Sequence, residues 1–304
     1  AAAPAPTRSH VSERARAERR LGWMLCAPSV IVMLAVTAYP IVYAIWLSLF
    51  RYDIRFPSAS KFVGLHNYAT VLRSDVWWQA LFNTLVITVI TVVIELALGL
   101  ALALVMHRAI FGRRTVRASV LIPYGIVTVV AALSWKFAFD PTTGFINGML
   151  PTDQAWFAHR WSAFLVIILN EVWKTTPFMA LLLLAGLTLV PQDVLKASRV
   201  DGAGPWQRLW KVMIPLMKPA LLVAVLFRAM DAFRIFDTIF VMTRGAQGTE
   251  SVSIVGYNTL VTRLNLGLGS AVSVLIFLCV IAIAVIFVKG FGANLAQQRG
   301  EGVR

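Results

Sequence analysis

The chain has 304 residues, 59% of them hydrophobic and 14% charged, with a formal net charge of +14. A mean hydropathy of +0.75 excludes an ordinary soluble domain and points to several membrane spans. The positive charge then reads as basic cytoplasmic loops rather than a nucleic-acid surface. The two cysteines, Cys26 and Cys279, lie far apart in apolar runs and read as buried thiols, not a disulfide framework.

Residues 1–20 are Ala/Pro-rich, then Arg/Glu-rich, and read as a disordered or surface-lying cytoplasmic arm. The apolar run after them, from about Leu21 to Phe50, is too long for the roughly 7–15-residue core of a cleavable signal. Six spans are predicted at 22–49, 80–106, 118–138, 161–188, 218–242 and 267–289, each near or above the roughly 20 residues a bilayer requires. The division is a cytoplasmic arm at 1–20, a six-helix membrane domain at 21–290 with a polar loop at 190–218, and a cytoplasmic tail at 291–304. With the N-terminus inside, inner segments hold 17 Lys and Arg and outer segments 7, which favours both termini cytoplasmic. No CxxC, HExxH, Walker-type Gly-rich run or GxSxG occurs, and His10, His66, His107 and His159 are scattered and read as solvated.

The segment from Pro191 to Pro219 is polar and basic between apolar spans. It predicts two short helices broken at Asp201-Gly202-Ala203-Gly204-Pro205. Asp-Gly is a turn signal, and Pro205 suits the first turn of a new helix. Such a unit on the cytoplasmic side is a docking surface for a soluble partner.

These residues resemble the coupling loop of ABC importer permeases, E-A-A, three residues, Gly, nine residues, I-x-L-P. The pattern falls on Lys196-Ala197-Ser198, Gly202 and Val212-Met213-Ile214-Pro215. Asp201-Gly202-Ala203 is similar to the D-G-A of the sugar branch. Lys196 and Ser198 depart from the usual Glu and Ala, so the Glu contact to an ATPase groove does not carry over. Phe62-Val63-Gly64-Leu65-His66-Asn67-Tyr68, Asn83-Thr84, Pro123, Trp135, Gly144, Asn147, Trp173, Pro177, Phe178 and Gly267-Leu268-Gly269-Ser270-Ala271 also match sugar permeases. IPYGIVTVVA and EVWKTTPFM are most similar to permeases of the maltose/trehalose type.

The resemblance implies an all-α integral membrane protein of the type I importer class, with six transmembrane helices and a cytoplasmic helix-turn-helix coupling loop. It implies a plasma-membrane permease moving a disaccharide, with trehalose the closest match, by alternating access. The partners it implies are a second homologous permease, an ATPase dimer, an extracytoplasmic sugar-binding lipoprotein and membrane lipid, with no nucleic acid. ATP and Mg would sit on the ATPase, and this chain would carry no cofactor, metal or catalytic site. Coupling is expected at Lys196, Ala197, Ser198, Asp201, Gly202, Ala203 and Pro215.

Charges within the spans mark the transport path or an internal ion-pair network. They are Glu95, Lys136, Glu171, Lys174, Arg228, Asp231, Arg234 and Asp237. Glu171 and Lys174 are spaced to pair on one helix, as are neighbours in the Arg228, Asp231, Arg234, Asp237 ladder. Glu95 reads as a buried partner for a basic group or a backbone amide. The resemblance implicates Glu171, Thr175, Phe178, Arg228 and the Asp231–Ala232 region in the sugar path, and Lys174 and Arg234 extend the polar wall. Trp173, Phe178 and Phe233 are candidates to stack on a sugar ring. An ion-coupled secondary transporter is the alternative, but spans 1–3 and 4–6 share no evident repeat. A membrane enzyme using Asp231 and Asp237 as metal ligands is disfavoured by Arg234 between them.

Overall fold

The computed structural model describes residues 13–108, 113–149 and 154–300. Helix α1 (Glu13–Ser48) leads into a small hairpin of β1 (Phe50–Arg51) and β2 (Lys61–Phe62), paired antiparallel with Phe50 opposite Phe62. Helices α2 (His66–Leu72), α3 (Asp75–Arg108), α4 (Arg113–Gly125), α5 (Thr128–Ala138) and α6 (Phe145–Met149) follow. Then come α7 (Arg160–Thr188), α8 (Gln192–Val200), α9 (Pro205–Arg208), a π-helical stretch Leu209–Met213, and α10 (Ile214–Ala232). The chain closes with α11 (Asp237–Met242), α12 (Val252–Tyr257), a second π stretch Asn258–Thr262 and α13 (Leu266–Gly300). The hairpin is a local exception to an otherwise all-α architecture.

Among the described residues, five stretches are long and apolar enough to cross a membrane, namely Arg20–Ser48, Asp75–His107, Arg160–Thr188, Pro205–Met242 and Leu266–Gly290. The third predicted span, 118–138, is not one straight helix. It is Thr115–Gly125 and Thr128–Ala138, bent by 82°. Pro123 and Gly125 weaken the helix there, and Val127 is extended with ψ 134°. Helix α1 starts before the first apolar stretch, at Glu13, and α13 runs on past Gly290 to Gly300, so parts of the predicted arm and tail, 1–20 and 291–304, are helical. Residues 1–12 and 301–304, the outermost parts of that arm and tail, lie outside the described residues.

The core sits between α3 and α7, which pack along each other, with α10 against both. Gly99 permits the close approach, since a Cβ there would come within 2.8 Å of Met179 Cγ. One apolar cluster, including Met106, Met179, Leu183, Leu187 and Met217, fills this three-helix contact. A second joins α3, α5, α7 and α11 through Ile87, Ala132, Phe164, Ile167 and Ile239. A third joins α3, α12 and α13, and Phe233 lies within it, 1% exposed among Val71, Trp77 and Val252. Phe233 is therefore a packing residue, and the expectation that it offers a face to a sugar ring is wrong. By contrast, α1 packs mainly on α13 and leaves its apolar surface outside this chain. Cys26 is exposed on that surface, against the expectation of a buried thiol, while Cys279 is half-buried.

The polar motifs of the sequence fasten helix ends and the segments between them. Asn67 donates its amide to the carbonyls of Ser48 and Phe50 at 2.7 and 2.9 Å, closing the end of α1, and the hydroxyls of Tyr68 and Ser48 pair at 2.6 Å. Asn83 donates to the carbonyls of Gly248 and Glu250, both at 2.8 Å, and accepts from Arg160 at 2.6 Å. Thr84 Oγ1 accepts from the Val252 amide. The Asn67, Asn83 and Thr84 contacts satisfy backbone groups beside helix ends, which is where such groups lack partners of their own.

Candidate functional site: an intramembrane polar hollow and a cytoplasmic helix pair

The break in α4–α5 opens the wall of the bundle. Facing it, α10 ends at Ala232 and the chain turns through Phe233–Phe236 before α11. Between them lies an open hollow of about 430 Å³. Tyr124 and Thr128 come from the α4–α5 break, Glu171, Lys174 and Thr175 from α7, Arg228 and Asp231 from the end of α10, Arg234 from the turn after it, and Asp237 and Thr238 from α11. Helix α7 is largely buried, so its polar residues can reach the hollow only along one face. That face carries Glu171, Lys174 and Thr175, three and four residues apart, as helix geometry requires.

Arg228 is the node. Its guanidinium, 1% exposed, donates from Nε to Glu95 Oε2 at 2.6 Å and from Nη2 to Glu95 Oε1 at 2.9 Å. This bidentate pair joins α10 to α3 in the interior. Nη2 also reaches Glu171 Oε2 at 3.2 Å, and Nη1 reaches Asp231 Oδ2 at 2.9 Å. Thr175 Oγ1 lies 2.6 Å from both Glu95 Oε1 and the Glu171 carbonyl oxygen, and Thr238 donates to Glu171 Oε1. Every carboxylate oxygen of the buried Glu95 and Glu171 thus has a donor, which is what allows two acids to persist in a low-dielectric interior. Glu95, read as the buried partner of a basic group, is that partner.

The ladder expectation is only partly met. Of its neighbouring pairs, Arg228–Asp231 forms within one helix, while Arg234 donates to the Met230 carbonyl and Asp237 opens α11. The helix ends after Ala232, so the three-residue spacing stops carrying side chains along one surface. Glu171 and Lys174 do not form the expected pair among the described ion pairs. Glu171 is held by Arg228 and Thr238, and the Lys174 ammonium sits 5.5 Å above the Tyr124 ring. Phe178 does not line the hollow. It stacks on Tyr124 at 5.3 Å and so positions that wall from behind. Trp173 packs against Trp135. Lys136 turns away and donates to the Val241 carbonyl at 3.0 Å.

The expected coupling residues lie together at the other end of α10. Leu195 and Ser198 face inward from α8, and Leu195 joins the core cluster. Lys196 is exposed and pairs with Asp193 at 3.3 Å. The helix ends in a Schellman arrangement, with the Ala203 amide donating to the Ser198 carbonyl at 3.0 Å and the Gly202 amide to the Arg199 carbonyl at 3.1 Å. Gly202 takes φ +78°, a left-handed conformation, although a Cβ there would meet no neighbour. Its requirement is conformational, not spatial. Pro205 starts α9, and the Gln207 side chain accepts from the Gly204 amide at 3.1 Å. The second helix of the expected pair is not a separate short helix. It runs through the π stretch into α10, placing Pro215 in the first turn of that long helix.

Residues the sequence did not single out for the hollow are Tyr124, Thr128, Ile235, Phe236 and Thr238. Only Tyr124 carried a signal, standing between Pro123 and Gly125 inside an apolar run.

A family model described as "Binding-protein-dependent transport system inner membrane component" matches residues 95–298. The chain is 57% identical over 277 residues to the trehalose transport system permease protein SugA of Mycobacterium tuberculosis, covering 91% of this chain and 90% of that one. It is 38% identical over 281 residues to the trehalose/maltose transport system permease protein MalF of Thermococcus litoralis, covering 90% and 94%. Its fold matches a chain from the crystal structure of a bacterial alginate ABC transporter in complex with an alginate pentasaccharide-bound periplasmic protein. The TM-score is 0.78 and the identity 18%, covering 91% of this chain and 96% of that one. This chain is a multi-pass membrane protein of the inner-membrane component family of binding-protein-dependent ABC transport systems, a permease subunit rather than an enzyme.

Proposed function

We propose that this chain forms one half of an ATP-driven importer that carries a disaccharide, trehalose, into the cell by alternating access. The observation that carries the reading is the hollow at the α4–α5 break, where Lys174, Arg234, Asp231 and Asp237 present donors and acceptors beside the α10 end. Sugar hydroxyls need such paired donors and acceptors. The high identity to a trehalose permease over nine-tenths of the chain supports the choice of sugar.

In this reading both termini and α8 face the cytoplasm, and an ATPase dimer, which holds ATP and Mg, docks on Lys196, Ala197, Ser198, Asp201, Gly202 and Ala203. From Pro205 to Ala232 the chain is helical without a turn, roughly 42 Å at 1.5 Å per residue. Movement of α8 on ATPase closure is thereby delivered to Arg228 and Asp231 at the far end of the lever. A second homologous permease supplies the other half of the path, and an extracytoplasmic sugar-binding lipoprotein delivers substrate to the 50–79, 139–160 and 243–266 side.

Proteoliposomes holding the two permeases and the ATPase test the reading. Trehalose uptake is expected to require ATP and the binding protein, and Lys174→Met is expected to lower it severalfold with the complex intact. Uptake driven by a sodium or proton gradient without the ATPase would overturn it.

A further inference from the structure

A second hollow, of about 490 Å³, lies on the membrane side of the lever. Its walls are almost wholly apolar. Ala97, Leu100, Ala101 and Leu104 of α3 form one side, and Trp206 and Trp210 form the lip of the other. The two indoles meet edge to face at 5.6 Å and remain 70% and 53% exposed. Burying so little of two tryptophans is costly in water and natural at the headgroup level of a bilayer, where the ring rests on hydrocarbon and the N–H stays wet.

The dimensions and charge of the groove select an occupant. Its α3 wall runs from Val93 to Leu104, roughly 16 Å along the helix axis, close to the roughly 15 Å of hydrocarbon in one leaflet. Between Pro205 and Phe227 the chain carries Arg208, Lys211 and Lys218 and no acid. Lys211 follows Trp210 directly and is exposed. The one acid on the facing stretch of α3, Glu95, is closed off beneath Arg228. An apolar slot of leaflet depth, an aromatic lip and unopposed basic residues together describe the shape of a lipid with a negative headgroup. Trp206, Leu209 and Trp210 share this wall because residues three and four apart lie on one helix face.

We propose that this groove binds one acyl chain of an anionic phospholipid from the cytoplasmic leaflet, with its headgroup beside Lys211. The leaflet assignment rests on the orientation given under Proposed function. Because the groove is walled by the lever between α8 and the sugar hollow, the bound lipid moves with that lever.

The test uses the complete complex in nanodiscs containing phosphatidylglycerol or phosphatidylcholine with a photoreactive acyl chain, followed by peptide mapping. Labelling is expected at 93–104 and 206–221, stronger for phosphatidylglycerol by about fivefold, the factor for one basic residue near an anionic surface. Lys211→Gln is expected to erase the preference and keep the labelling. Ala97→Phe with Ala101→Phe is expected to reduce groove labelling to the level of the exposed face of α1. Equal labelling by the two lipids in the wild type would overturn the proposal. So would groove labelling no higher than on α1, or cross-links from a photoreactive residue at position 206 to a partner subunit instead of lipid. Uptake is measured on the same variants. ATP-driven uptake without groove labelling overturns the lipid site alone, and groove labelling without such uptake overturns the transport reading alone.

Discussion

Arg228 lies near the far end of the helical lever and Lys196 on α8, before the turn that leads into it, and the two cations stand in opposite surroundings. Arg228 is 1% exposed and holds two buried carboxylates from α3 and α7 as well as Asp231 at the rim. Lys196 and its partner Asp193 are 72% and 95% exposed, one turn apart on α8. The first charge is a tertiary fastener whose removal strands acids in the interior. The second decorates a surface, and its ion pair is worth little in water. The segment around Lys196 depends instead on backbone geometry at Gly202.

The largest expected effect follows from the buried node. Arg228→Ala leaves Glu95 without its bidentate partner, and a stranded buried charge costs about 3–5 kcal/mol. Thermal unfolding of the purified complex should show that loss, with little assembled transporter. The compensating change is Glu95→Gln, because Glu95 is fully buried, while Asp231 at the rim can be solvated. Arg228→Ala with Glu95→Gln should recover much of the assembly. Recovery by Asp231→Asn instead would mean that the stranded charge lies at the rim and would break the contrast.

Next comes Gly202→Val. A β-branched residue at φ +78° is a steric outlier, so the Schellman turn must open and the angle between α8 and the lever is lost. Insertion and the interior network should survive, while binding-protein-stimulated ATP hydrolysis collapses. Gly202→Asn, which tolerates the left-handed region, should retain most of it. Normal stimulation in the Val variant would remove α8 from coupling.

Lys196→Glu should be mild, within about 0.5 kcal/mol by thermal unfolding, because it trades one exposed pair for a solvated like-charge pair. Uptake should stay near the wild-type level, and a large loss would show that the lysine meets a partner directly.

The smallest effect concerns the exposed end of the molecule. The side-chain hydrogen bonds from Arg55 hold the Asp53 carboxyl down to about 2, below its ordinary 3.8. A carboxyl lowered on folding adds stability that is present above the unfolded value and is lost as pH falls through the folded one. The loop should therefore be insensitive to pH from 8 to about 4 and change only toward 2. Carbon NMR of the labelled Asp53 carboxyl should give that midpoint, and a midpoint near 4 would mean the pair does not form.

The two regions also differ in how far they could be read in advance. The turn around Gly202 was legible residue by residue, since an Asp-Gly turn and a Pro at the first helical position are local statements, while the inward face of Leu195 and Ser198 came only from the structure. Its one misreading, a separate second helix, arose because Val212, Met213 and Ile214 continue into an apolar run without a stop signal. The hollow was half legible. Glu171, Lys174, Arg228, Asp231 and Arg234 stood out because charges inside apolar runs are conspicuous, Thr175 only through the family resemblance, and all of them line it. Of their pairings, Arg228–Asp231 was read from spacing and forms, but spacing also offered Lys174 to Glu171, whereas the chain brought Arg228 from 57 residues away and Thr238 from 67. Phe233 was misread because a short aromatic stretch after a helix looks alike whether it faces a path or a core.

By itself the sequence determined where the long apolar stretches lie, which segments are basic, and the turn between α8 and α9. Each depends on residues a few positions apart, through transfer of side chains from water and through backbone torsion. The tertiary structure decided the 82° break in the third span, the partner of Glu95 and the place of Phe233. Those depend on which helices lie side by side. A carboxylate in hydrocarbon must find a cation, but its own neighbours in sequence cannot say which helix will bring one; for Glu95 it lay 133 residues away.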